Sequence, residues 1–273
     1  MAPGLRNSPG MRLDIDVIRK QLDYRAEREI RVLDTVTTTN AALRELARAG
    51  APEGTVVIAD AQTAGHGRFA KPWFSPPGVN IYASVLYRPT IGPRDVGGFS
   101  LVASLAVSDA IDAEGLRSTI KWPNDVLIGG KKVAGTLVEF TARGELVEYV
   151  ILGIGVNVNV PRRALRAALG TSGLAADSLR EVAGHDLDRN NLARKILNAL
   201  DHWVMTYETG GLDPVLNAWR DRDILTGRRV EVRGEGPTWL GRVLGVDREG
   251  HLVLRDPRGK QRRVLAGEVR LAD

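Results

Sequence analysis

Three short segments carry residue types whose spacing could do chemistry. Gly65-His66-Gly67-Arg68-Phe69-Ala70 follows a strand-like run and spells the letters of a dinucleotide-binding turn. Such a turn must open a helix, so that its amides point at a phosphate. Here Lys71-Pro72-Trp73-Phe74-Ser75-Pro76-Pro77 follows, and its three prolines exclude that helix. A P-loop is excluded too, because Gly130-Lys131 lacks the upstream glycine and the following Ser or Thr. What remains is a glycine loop that can approach an anion closely, with Arg68 as a forked cation and Trp73 as a stacking surface for a base. A solvated loop whose Trp packs on the core accounts for the same letters.

The second segment is Lys121-Trp122-Pro123-Asn124-Asp125, followed by Lys132-Val133-Ala134-Gly135. Lys121 lies in an apolar strand context, where an ammonium needs a partner, and Asp125 is the nearest counter-ion in sequence. Lys132 follows a Gly129–Gly130 turn. A fixed ammonium aimed at a phosphate serves phosphoryl or nucleotidyl transfer; an exposed hairpin lysine is the plain alternative. The third segment, Gly153-Ile154-Gly155-Val156-Asn157-Val158-Asn159, places two glycines in a strand, which signals a bulge or a close backbone approach. Asn157 and Asn159 share one face by period two. They could read a polar ligand or simply close a strand end.

The elements that must position these residues alternate between the two periods. Strands are expected over 29–35, 55–59, 80–88, 119–122, 126–128, 131–140 and 145–159. Helices are expected over 41–49, 95–114, 162–168, 175–183, 189–207 and 213–221, the first capped by the polar turn Thr37–Asn40. Residues 64–78 form a long irregular loop. After residue 225 the pattern changes to five short strands separated by Gly and Asp, the signature of a small barrel. This predicts an α+β chain: a tail over 1–28 ending in at most a short helix, a mixed sheet with helices over 29–225, and a small β unit over 226–273.

Composition narrows the function classes. The chain has 273 residues, 43% apolar and 26% charged, which excludes a disordered or collagen-like chain. No cysteine is present, so disulfides, thiolate metal sites and a cysteine nucleophile are excluded together. The four histidines are scattered without metal-ligand spacing. A formal charge of +5 suits anionic partners without requiring nucleic acid. No signal peptide and no bilayer-length apolar run are seen, so a cytoplasmic location without membrane association is expected.

Taken in order, Thr38-Thr39-Asn40, Gln62, Gly65-His66-Gly67-Arg68, Trp73, Lys121 to Asp125, Lys132 to Gly135 and Gly153 to Asn157 resemble biotin–protein ligase in content and spacing. The resemblance extends over residues 29–273. It includes Gly267-Glu268-Val269-Arg270-Leu271, similar to that family's usual ending, and implies that the last unit is an SH3-like barrel. The resemblance implies an ATP-dependent ligase that makes biotinyl-5′-AMP from biotin and Mg·ATP, then passes biotin to one lysine of a biotin carboxyl carrier domain.

Residue by residue, the resemblance implies that Thr38, Thr39, Asn40, Gln62, Gly65 and Gly135 line the biotin site. His66, Gly67 and Arg68 form a loop that closes over biotin and the adenylate. Lys71, Trp73, Asn124, Asp125 and Asn157 serve the nucleotide. Lys132 and Arg68 are the catalytic cations, with Lys132 touching both the biotin carboxylate and the α-phosphate. His66 stands where many bacterial members have Arg, Lys71 where many have Arg, Ala70 where many have Gly, and Asp177 where an A-T-S-L stretch has Thr. Members that also repress transcription carry a winged helix-turn-helix; about 28 residues precede the first strand here, too few for one. A monofunctional ligase without specific DNA binding is therefore expected, with a homodimer compatible with the family. The rivals are lipoate–protein ligase and a non-enzymatic basic module gripping nucleic acid through Arg228, Arg229, Arg233, Arg242, Arg262 and Arg263.

Overall fold

In the computed structural model, which describes residues 12–20, 22–23, 28–234 and 237–272, two sheets organise the chain. The first contains β1 (Ile30–Val36), β2 (Val56–Gln62), β3 (Ile81–Tyr87), β4 (Thr119–Lys121), β5 (Asp125–Ile128), β6 (Lys131–Arg143) and β7 (Leu146–Val156). Its order is β1-β2-β3-β7-β6-β5-β4, parallel between β1 and β2 and antiparallel elsewhere. The helices are α1 (Ile15–Arg19), α2 (Thr39–Arg48), α3 (Gly97–Asp112), α4 (Arg162–Leu169), α5 (Leu179–Ala183), α6 (Arg189–Gly210) and α7 (Leu212–Arg220). The α+β architecture expected from the sequence is present.

Period-two alternation gives the first sheet two unlike faces. On β3 and β7, Ile81, Ala83, Val85, Tyr87, Val150, Leu152, Ile154 and Val156 belong to the main core. The helix α3, buried on nearly every side, packs between this face and α6 and α7. Residues of the other parity face away. There, Leu43 and Ala47 of α2 pack on Val57, Leu86, Tyr149 and Ile151 in a smaller cluster. Beyond that cluster the second face is floored by Ser84 and by three glycines, Gly135, Gly153 and Gly155, with Gly135 paired to Gly155 across β6 and β7. Small residues on this face leave room above the sheet.

Local chemistry sets the element ends. The Thr38 hydroxyl accepts the Ala41 N–H at 3.0 Å and caps α2, a contact worth about 1 kcal/mol. Gly129 and Gly130 both adopt positive φ, 56° and 77°, as their hairpin turn requires. In the tail, Asp14 caps α1, and Asn190 of α6 binds Asp14 N and Arg12 O. The frayed segment expected before it falls at residues 1–11, outside the described residues.

The second sheet is built from β8 (Arg229–Arg233), β9 (Trp239–Val246), β10 (Leu252–Arg255), β11 (Gln261–Val264) and β12 (Glu268–Leu271). It is antiparallel throughout, in the order β11-β10-β9-β8-β12. The expected small SH3-like unit is there, but its hydrogen-bonded ladder stays open between β11 and β12. Its apolar side, including Val230, Val243, Leu252 and Val269, is continuous with the main core. No helix among the described residues is long and apolar enough to cross a membrane.

The helix expected over 175–183 is shorter. Residues 170–175 form a 3₁₀ segment, and Ala176 and Ser178 are extended before α5 begins. The reason is tertiary: Ala176 bridges to Lys132, and the Asp177 N–H is donated to Lys132 O at 3.0 Å instead of to a helical carbonyl.

Candidate active site

The start of α2 and the end of β2 build one end of the site. The Thr39 N–H donates to Gln62 Oε1 at 2.9 Å. Ser84 Oγ lies 2.7 Å from Thr39 Oγ1 and 2.6 Å from Asn40 Oδ1. The Asn40 amide donates to Glu139 Oε2 at 2.7 Å, where Arg44 also binds at 2.8 Å. Gln62 Nε2 reaches Ser75 Oγ at 3.0 Å. Thr39, Asn40 and Gln62 were read from the sequence; Ser84, Ser75 and Glu139 were not. Only the parity of Ser84 on β3 marked it as facing this side. Two glycines are sterically required here: a Cβ at Gly153 would lie 2.3 Å from Asn40 Oδ1, and one at Gly65 would lie 2.4 Å from Ser75 Oγ.

The irregular loop follows. His66 pairs with Pro72 across a single β-bridge, and Phe69 and Ala70 hold left-handed backbone angles, φ 56° and 53°. Such angles are strained for residues with a Cβ and recur in binding loops. Trp73 then lies flat on the glycine floor. A Cβ at Gly155 would sit 2.6 Å from its Cε2, and its buried indole N–H has no protein acceptor.

Across the floor stands the cationic edge. Lys132 Nζ lies 2.5 Å from Asp125 Oδ1 and 5.3 Å from the Trp73 ring centre. Lys121 is 4.0 Å from the other oxygen of Asp125, so the stronger partner of this carboxylate is Lys132, not the Lys121 that sequence proximity suggested. Burial pushes the Arg68 guanidinium below its ordinary pKa, and the charge of Asp125 partly offsets this. A Cβ at Gly135 would lie 2.9 Å from Lys132 Nζ, so Gly135 makes the room in which this ammonium sits. Asn124 is buried, and its amide donates to Thr136 O at 2.5 Å, which ties β5 to β6.

The two asparagines beyond β7 are also buried. Asn157 donates to Asp177 O at 3.0 Å, and Asn159 exchanges hydrogen bonds with Leu187 at 2.9 Å each way. Both therefore close the strand end, with Asn157 beside the Lys132 backbone through Asp177.

Lys71 reaches away from this cluster, to Glu268 of β12 at 2.7 Å. The hydrogen bond from Lys71, aided by the charges of Lys71 and Arg270 and opposed by burial, holds the Glu268 carboxyl below the usual glutamate range. A folded-state pKa that is depressed means the contact stabilises above the ordinary glutamate value and is lost as pH falls through the lowered one. Replacing Glu268 by Gln should therefore speed hydrogen exchange in the loop 65–74 by about threefold at neutral pH, the scale of an exposed ion pair. The difference from the unaltered protein should vanish in acid and in molar salt.

Among the described residues, one group has metal-ligand spacing, Asp247, Glu249 and His251. It lies on the turn between β9 and β10 and includes none of the predicted site residues. A shallow depression of about 750 Å³, lined by Arg48, Pro52, Arg88, Glu148 and Tyr149 among others, lies at the far end of α2 and holds none of them either. Of the arginines a nucleic-acid module would need, Arg233, Arg262 and Arg263 are paired with Glu231, Asp256 and Asp247, and Arg242 donates to Gly227 O. That internal pairing disfavours the module.

The chain matches two family models: Biotin/lipoate A/B protein ligase family over residues 31–157, and Biotin protein ligase C terminal domain over residues 225–271. The bifunctional ligase/repressor BirA of Bacillus subtilis is 37% identical over 83% of this chain and 69% of its own. The biotin--[acetyl-CoA-carboxylase] ligase of Mycobacterium tuberculosis is 34% identical over 94% of this chain and 98% of its own. The structure of biotin protein ligase from Aquifex aeolicus in complex with biotin and ATP superposes with a TM-score of 0.74 at 28% identity, covering 89% of this chain and 98% of that one.

Proposed function

Because this chain belongs to the biotin protein ligase family and is a ligase, we propose that it forms biotinyl-5′-AMP from biotin and ATP and transfers biotin to a lysine of a biotin carboxyl carrier domain. The observation that carries this reading is the placing of Lys132, its Nζ 2.5 Å from Asp125 at the edge of a glycine-floored groove. The opposite end of that groove is the hydrogen-bonding cluster of Thr39, Asn40, Gln62 and Ser84.

In the first step a biotin carboxylate oxygen attacks the α-phosphorus of ATP and pyrophosphate leaves. Two anions must meet, and negative charge builds on the phosphoryl oxygens. Lys132 and Arg68 offset it, most strongly in the transition state, where a low-dielectric groove magnifies fixed charges. Thr39, Gln62 and Ser84 offer donors and acceptors for the polar biotin head, with Thr38 and Asn40 holding the turn that presents them. The loop through Gly65, His66 and Gly67 closes over the mixed anhydride and excludes water from it. Trp73 and Asn157 belong to the nucleotide end, with Asn124 fixing the strand that bears Asp125. In the second step the neutral ε-amine of the carrier lysine attacks the biotinyl carbonyl, AMP leaves, and an amide forms.

Among the described residues, the predicted site residues belong to no group with metal-ligand spacing. Mg enters as part of the Mg·ATP substrate, and Asp125, paired with Lys132, would be the carboxylate that helps orient it. Such an ion neutralises phosphate charge. The domain reading that goes with this proposal is a catalytic unit over 29–225 and an SH3-like unit over 226–273, in a cytoplasmic protein.

The test is pyrophosphate release from Mg·ATP with biotin, lipoate, octanoate or no acid, with the retained product weighed by mass spectrometry. Release with biotin alone, and a bound biotinyl-adenylate that a carrier domain discharges, is the expected result. Release with lipoate instead would move the chain to the lipoate branch of its family. Silence with every acid would overturn the reading.

A further inference from the structure

We propose that Asp177 is a positioning residue for the nucleotide end of the site, setting the backbone of Lys132 and the side chain of Asn157 through one buried hub. The inference rests on the ligase reading above and deepens it.

The backbone of Asp177 makes the first half of the hub. Its N–H donates to Lys132 O at 3.0 Å, and its carbonyl accepts the Asn157 amide at 3.0 Å. Leu179 N donates to Asn157 O at 2.9 Å, so Asn157 is held at both its peptide and its side chain. The extended stretch 176–178 exists because these bonds replace helical ones.

The carboxylate makes the second half. Oδ1 accepts Arg162 Nε and Ser178 N, both at 3.1 Å. Oδ2 accepts a second Arg162 nitrogen at 2.9 Å and faces Lys131 Nζ at 3.5 Å. The pairing with Arg162 is a two-pronged fork, the strong and directional form of this contact. The carboxylate is 5% exposed, while Arg162 and Lys131 are 36% and 39% exposed. A buried carboxylate is tolerated only when paired, so its cations cannot leave cheaply. Burial alone would raise its pKa; the bonds from Arg162 and Ser178 and the charges of Arg162 and Lys131 outweigh this and hold it low.

The hub also sorts two neighbouring lysines. Lys131 and Lys132 point to opposite sides of β6, and each has its own carboxylate, Asp177 and Asp125. Removing the charge at position 177 releases Lys131, leaves Arg162 with Glu181 at 3.7 Å, and slackens the segment that holds Asn157 and the backbone of Lys132. The head of biotin lies at the other end of the groove and gains nothing from Asp177. The expected signature is therefore selective for ATP.

The experiment measures kcat and both KM values for adenylate formation in the unaltered chain, Asp177→Asn, Arg162→Gln and the double variant, with thermal unfolding of each. Asp177→Asn should raise KM for ATP by about tenfold, the loss expected for a charged hydrogen bond, with KM for biotin unchanged and kcat lowered, because the segment carrying Lys132 loosens with it. Arg162→Gln should shift KM for ATP in the same direction by about threefold, and the double variant should be no worse than Asp177→Asn, because both act through one contact. A folded Asp177→Asn protein with an unchanged KM for ATP, or with both KM values rising together, would overturn the proposal. If Asp177→Asn does not fold, Arg162→Gln, at a half-buried position, decides: a selective rise supports the hub and no rise refutes it. An unaltered chain that makes no adenylate with any acid overturns the ligase reading itself, an outcome distinct from activity that ignores position 177.

Discussion

Lys132→Ala is expected to slow adenylate formation by roughly 10²–10³-fold, the scale of losing one preorganised group aimed at developing charge, while leaving the fold intact. The ammonium is fixed on three sides: by Asp125 at 2.5 Å, by the face of Trp73 at 5.3 Å, and by the space that Gly135 leaves for it. None of these contacts is deep in the core, since the side chain is 32% exposed. Removing it leaves Asp125 with Lys121 at 4.0 Å, so no unpaired carboxylate is stranded. Lys132→Arg keeps the charge but brings a wider, planar head into a slot cut for an ammonium, and should recover only part of the rate. Single-turnover pyrophosphate release, with thermal unfolding of each variant, makes the measurement. A folded Lys132→Ala protein working at the unaltered rate would remove this lysine from the mechanism.

How far such residues could be read in advance depended on how local their causes are. The glycines at 153 and 155 already signalled a bulge or a close backbone approach, because their cost is a property of the strand itself. Thr38 as a cap and Gly129–Gly130 as a turn are equally local. What the sequence hid was pairing at a distance. Asp125 lies four residues from Lys121, yet the turn into β6 brings Lys132 closer. Lys71 reads as one more cation of the loop until β12 supplies Glu268. Asn124 and Asn157 look like free amides and are spent on Thr136 and Asp177. The helix expected over 175–183 failed for the same reason, since the amide of Asp177 belongs to Lys132. Ala70, standing where glycine is common, adopts the left-handed angle that glycine would take freely, so the departure in sequence marks strain in the loop.

Trp122→Ala should act in the opposite way to Lys132→Ala, through stability instead of chemistry. Trp122 sits in the same motif but points into the core, 2% exposed. Its indole N–H donates to Gly250 O at 3.0 Å, on the turn between β9 and β10. That turn is packed close: a Cβ at Gly97 of α3 would lie 3.1 Å from Glu249 O. One side chain thus fastens the second sheet to the first while its neighbours Lys121 and Asp125 face the groove. Truncation to alanine removes a large buried ring and should cost about 3–5 kcal/mol. Trp122→Phe keeps most of the ring and loses the hydrogen bond, leaving Gly250 O without that donor, and should cost less, about 1–3 kcal/mol. Urea unfolding measures both. Well below its unfolding midpoint, Trp122→Phe should form adenylate at close to the unaltered rate, because nothing at Lys132 has moved. If Trp122→Phe were as stable as the unaltered chain but catalytically dead, the tryptophan would belong to the groove, and the division of this motif into a fastening residue and a catalytic lysine would be wrong.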